Sequence, residues 1–132
     1  MSEVELEVID LKEVVLSNNS FGPADVGSIR TAVSENYGHF GELRDAVNEM
    51  EADDLLSPAG KTKMGVCQFL LGKFSDALTT LQSADGSAMA LFYQARCMFE
   101  LGSYNETVAV YEKAQTSGYN EDQCKIGVAE AN

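Results

Sequence analysis

The chain has 132 residues, 45% of them apolar, enough for one ordinary domain or a short array of small units. Twenty-one acids against nine bases leave a formal charge of −12. That balance excludes a surface built to displace counterions from nucleic acid and argues against docking on an anionic membrane.

The first ten residues, MSEVELEVID, carry acids where a secretory leader needs bases. No apolar run approaches the ~20 residues of a transmembrane helix. Three cysteines (Cys67, Cys97 and Cys124) have no tight spacing, which favours a reducing compartment over a disulfide framework. A cytoplasmic location is expected.

Residues 1–20 read as a separate acidic and apolar segment, ahead of a helical domain over 21–132. Val4, Val8, Leu11 and Val15 recur at helical spacing, whereas Val4, Leu6 and Val8 alternate as a strand would, so helix and extended segment both stay open. Gly22-Pro23-Ala24-Asp25 opens the domain, with helices expected over 24–37 and 40–53. Ser57-Pro58, a capping residue followed by a first-turn proline, starts a helix over 58–71. Further helices are expected over 74–84, 87–101, 104–116 and 120–131, with Asp85-Gly86 as a link and Ser87 as the next cap.

One short pattern recurs through these elements: GHFGE from Gly38, GKFSD from Gly72 and GSYNE from Gly102, spaced by 34 and then 30 residues. A fixed period in this range marks stacked units. Glycine can end a helix in a left-handed backbone conformation without a Cβ clash. Phe40, Phe74 and Tyr104 then staple the following helix, and Glu42, Asp76 and Glu106 sit in its first turn, where the helix dipole favours acids. Gly65 and Ala95 take equivalent places in two first helices, and Ala77, Ala84 and Ala114 are small where neighbouring helices approach. The four residues missing from the second interval amount to about one helical turn, so a shortened helix is expected to end near Ala84. KIGVA from Lys125 echoes KMGVC from Lys63 and starts a fourth unit.

At these positions the chain resembles the tetratricopeptide repeat family over about residues 24–132, best in GVCQFLLGKFSDALTTLQSA. Thr107, Leu43 and Met50 stand where that pattern has alanine. The resemblance implies an all-α, right-handed superhelical array of antiparallel helix pairs. Its units would be 24–57, 58–87, 88–119 and a truncated 120–132, about three repeats plus a half-repeat helix that either caps the array or continues into a longer one.

The resemblance also implies that first helices line a concave groove for a peptide or helix of a partner protein. Register from Gly65 and Ala95 puts Lys63, Val66, Phe69, Met89, Phe92, Arg96 and Phe99 there, Lys63 near the rim with Tyr93, and Thr62, Leu70 and Glu100 beside them. Such a strip suits an amphipathic segment; the alternative is that the same side chains are interior packing. A clamp for a terminal carboxylate is disfavoured, because Ala32 and Val66 stand where its asparagines would. The Val4–Leu16 segment is a tethered candidate occupant, and self-association or packing on further repeats is the alternative role for the whole array. Nothing points to catalysis, a metal or a cofactor. His39 is expected to be a turn residue, Cys67 and Cys97 small core residues, and Cys124 nearer the surface.

Overall fold

Every regular element among the described residues, 10–132 of a computed structural model, is an α-helix. They fall into two compact units that part between Asp54 and Leu55. Val4 and Val8 lie outside the described residues, so the choice between helix and strand is answered only from Leu11 onward.

The first unit contains α1 (Leu11–Ser17), α2 (Pro23–Glu35) and α3 (Gly38–Glu51). Asp10 starts α1 by accepting from the amides of Lys12 and Glu13. The carboxylate of Asp25 accepts from Gly22 N–H at 2.7 Å and so closes the start of α2, with Pro23 in its first turn. Leu11 and Val15 of α1 are buried, as are Leu43, Ala46, Val47 and Met50 of α3. α3 packs chiefly on α1 and only slightly on α2. α1 thus packs on α3 within this unit.

Gly38 departs from its expected role. It has no positive φ and begins α3 instead of ending α2. Asn36 turns the chain in an extended conformation, and its side-chain oxygen accepts the Gly38 N–H at 2.9 Å, so no left-handed residue is required. Phe40 stacks on the exposed Tyr37, with centroids 6.2 Å apart. His39 is likewise not a plain turn residue: it lies in α3, its Nδ1 2.6 Å from Glu42 Oε1.

That same Glu42 oxygen accepts the orphan Leu11 N–H at the start of α1, at 3.0 Å. A carboxylate can only accept, so Nδ1 of His39 carries the shared hydrogen. The His39 bond first, and the Leu11 bond second, hold the Glu42 carboxyl below its ordinary 4.5. A lowered folded value contributes stability that is complete above pH 4.5 and lost as the pH falls through the lowered value. Protection of the Leu11 amide against hydrogen exchange should therefore weaken in acid. Glu42→Gln should flatten that dependence; an unchanged acid response in the variant would assign it to another group.

The second unit contains α4 (Pro58–Leu70), α5 (Phe74–Gln82), α6 (Ala88–Glu100), α7 (Tyr104–Thr116) and α8 (Glu121–Ala131). Each helix packs on the next, and α6 also touches α4 and α8, so the first helices form one layer with α5 and α7 behind them. Ser57 and Ser87 cap α4 and α6 through hydroxyls that accept from Gly60 and Ala90, as their sequences suggest. Gly72 and Gly102 take φ of 83° and 87°. The following residue in each case, Lys73 or Ser103, donates back to Gln68 or Met98 at 2.9 Å, closing the helix end. Gly118 ends α7 the same way, with φ 107° and Tyr119 N–H on Ala114 O.

The shortened helix is α5, nine residues against thirteen in α7, and it ends at Gln82. Its C-terminal carbonyl at Leu81 accepts from Gln94 of α6 at 3.2 Å. Asp85 then ties the link to α4, accepting from Thr62 Oγ1 at 2.7 Å and from Ser87 N–H at 3.0 Å. Burial raises the Asp85 value, but these bonds outweigh it and the net direction is down. Thr107, the departure from alanine, is buried without strain on its polar atom: its hydroxyl donates to Ser103 O at 2.8 Å.

Candidate interaction face

All seven residues assigned to the inner wall lie on two neighbouring helices of the second unit: Lys63, Val66 and Phe69 on α4, and Met89, Phe92, Arg96 and Phe99 on α6. Their exposure divides them. Lys63, Val66, Phe69, Met89 and Phe92 are buried, while Arg96 and Phe99 are half-buried. The open apolar strip expected from the register is therefore largely closed.

The chain's own rings close it. Tyr93, expected at the rim, is buried with its centroid 5.4 Å from that of Phe69, and Phe74 lies 5.6 Å away on another side. Phe92 stacks on Tyr119 at 4.2 Å and meets Tyr93 and Tyr111 edge-on at 5.1 and 5.5 Å. Stacked and tilted ring pairs of this kind contribute about 0.5–1.5 kcal/mol each beyond the area they bury. Burial also lowers the Lys63 value and pushes Cys67 and Cys97 up to about 12, so both thiols stay protonated at neutral pH. Cys124 is buried too, contrary to its expected place near the surface, and its value is raised by that burial.

Arg96 organises the accessible part. From α6 its Nη1 reaches Glu130 Oε1 on α8 at 3.1 Å and the Tyr111 hydroxyl on α7 at 3.5 Å. Its guanidinium carbon stands 6.0 Å from the Phe99 ring centre. α8 can come this close because Gly127 faces Tyr111: a Cβ at that position would fall on the ring.

Beyond Arg96, the corner between α6 and α7 carries Phe99, Leu101 and Tyr104. Leu101 is 44% and Tyr104 51% exposed. Phe99 and Tyr104 pair at 5.4 Å and 55°, nearly repeating Phe69 and Phe74, thirty residues earlier, at 5.6 Å and 54°.

Residues 89–117, which span nearly all of α6 and α7, match the family model for the tetratricopeptide repeat. This part of the chain is thus similar to that family's repeat. No curated protein matches the sequence. The matched tetratricopeptide repeat contains four of the seven wall residues (Met89, Phe92, Arg96 and Phe99) together with the Gly102 corner. The repeat's glycine, aromatic and small-residue positions were legible in the sequence. The covering roles of Tyr93, Tyr111 and Tyr119 were not, although Tyr111 follows Phe92 by 19 residues in the place of a second-helix core position. Among the described residues, no helix is long and apolar enough to cross a membrane.

Proposed function

We propose that this chain is a non-catalytic protein-interaction module that receives a segment of a partner protein on the accessible side of α6, around Arg96 and Phe99. The observation that carries the reading is the tetratricopeptide repeat over residues 89–117, with those two side chains left half-buried on its first helix. Repeats of this kind generally serve as protein-interaction scaffolds, which supports binding as the use of this face. Arg96 supplies the anchor type, a cation beside an aromatic ring, that dominates many protein interfaces.

The test is in-cell crosslinking of the full chain against Arg96→Ser and Phe99→Ser variants, with circular dichroism to confirm that the variants stay helical. Specific crosslinked partners should be lost or weakened by about tenfold, the usual consequence of removing an anchor worth ~1.4 kcal/mol. A partner set unchanged in both folded variants would overturn the assignment of this face.

A further inference from the structure

We propose that the corner formed by Phe99, Leu101 and Tyr104 is a seat for one aromatic side chain carried by a basic segment of a partner protein. The proposal rests on the interaction-module reading and specifies the chemistry of the guest.

The chain itself holds a filled version of this corner. Phe69, Leu71 and Phe74 stand thirty residues before Phe99, Leu101 and Tyr104, on the same kind of helix end, with a ring pair of nearly the same distance and tilt. In the filled version the next first helix, α6, brings Tyr93 against Phe69 at 5.4 Å, and Phe69 is buried. At the second corner the helix in the corresponding place is α8, which packs on α7 and reaches α6. Its sequence, EDQCKIGVAEA, contains no aromatic residue. The Lys63/Lys125 echo puts Lys125 at the place of Tyr93, and Lys125 is exposed and bound instead to Glu121 at 2.7 Å. Phe99 therefore stays half-buried, and Leu101 and Tyr104 stay largely open. The missing part is a single ring, delivered at a tilt as Tyr93 delivers its own to Phe69.

Charge selects the carrier. Glu100 adjoins Phe99 and Glu106 lies in the first turn beyond Tyr104, both exposed. The nearby cations, Arg96 and Lys125, already face Glu130 and Glu121. A guest with lysines or arginines around its aromatic residue is attracted, whereas a second copy of a chain with net charge −12 is repelled.

The chain has no tryptophan, so a tryptophan in a peptide reports binding without background. Three synthetic peptides labelled with the same dye would be titrated into the full chain: a lysine-rich helix with one central Trp, the same helix with Ala for Trp, and the Trp helix with Glu for Lys. The first should bind saturably with a blue shift of its Trp emission. Binding should weaken about tenfold with Ala for Trp, and as much in Leu101→Asp or Tyr104→Ser, whose side chains are largely exposed and whose retained helicity is checked by circular dichroism. Failure of the Trp peptide to bind, equal binding of the Ala peptide, or indifference to both variants would overturn the seat. So would a dimer of the chain, seen by sedimentation, that Leu101→Asp dissociates, because the occupant would then be a second copy. If partner crosslinking depends on Arg96 but not on Leu101 or Tyr104, the seat falls and the interaction module stands; if the wild-type chain captures no partner, the module reading itself falls.

Discussion

Tyr111→Ala should destabilise the unit spanning residues 55–132 by about 3–5 kcal/mol, the usual cost of emptying a large aromatic site in a core. Tyr111 is fully buried and meets three residues of two neighbouring helices at once: Phe92 of α6 at 5.5 Å, Arg96 of α6 through its hydroxyl, and Gly127 of α8. Removing the ring leaves a void that the flanking helices cannot fill without tilting α8, whose docking depends on Gly127 lying against that ring. Tyr111→Phe isolates the hydroxyl. Burial raises the Tyr111 value, with Arg96 opposing, so the hydroxyl is protonated at neutral pH and the 3.5 Å bond is a long one. The phenylalanine variant should therefore lose at most about 1 kcal/mol. Urea unfolding followed by far-ultraviolet circular dichroism measures both, and a Tyr111→Ala variant within 1 kcal/mol of wild type would remove this residue from the centre of the packing.

Gly65→Ala should also destabilise this unit, by about 1–3 kcal/mol, although helix propensity alone favours alanine by about 1 kcal/mol. A Cβ at Gly65 would stand 2.6 Å from Leu81 Cγ and 2.7 Å from its Cδ2, and Leu81 is itself buried. α4 and α5 would have to separate. Gly27 of α2 provides the opposite case, with nothing within 4 Å of an added Cβ. Gly27→Ala should stabilise the first unit by about 0.5–1 kcal/mol. Combining Gly65→Ala with Leu81→Ala should cost less than the sum of the two, because the second change removes the atoms the first one strikes. Equal signs for Gly65→Ala and Gly27→Ala would show that backbone propensity, not helix approach, governs both sites.

The two corner glycines illustrate which features a sequence discloses. At Gly72 and Gly102 the requirement is local: the helix must end within one residue, and a positive φ favours glycine. At Gly38 the same letters are present, yet Asn36 two residues earlier makes the turn with its side chain, and the glycine becomes the first residue of a helix. Gly118 does the work expected of Gly38, but no aromatic follows it two residues later, so the pattern passed over it. Glu42 was expected in a first helical turn, but α3 begins at Gly38 and carries no acid there; that Glu42 accepts the Leu11 amide from another helix was not legible at all.

The inner wall shows the same division at longer range. Periodicity placed Phe69, Phe92 and Phe99 on adjacent helices correctly, since residues spaced by helical turns must share a side of their helix. It did not distinguish Phe69 and Phe92, which are buried, from Phe99, which is not. Exposure depends on what later segments bring: Tyr93 of α6 reaches Phe69 from 24 residues away and Tyr119, in the link between α7 and α8, reaches Phe92 from 27, while α8 brings no ring to Phe99.

The helix ends at Gly72 and Gly102 and the thirty-residue phasing between them were thus determined by the sequence by itself, because capping, turn chemistry and the helical period act within a few residues. Which aromatic side chains are interior, and which corner is left open, was decided only by the tertiary structure. Burial is a property of neighbours in space, and those neighbours come from segments 24 and 27 residues further along the chain.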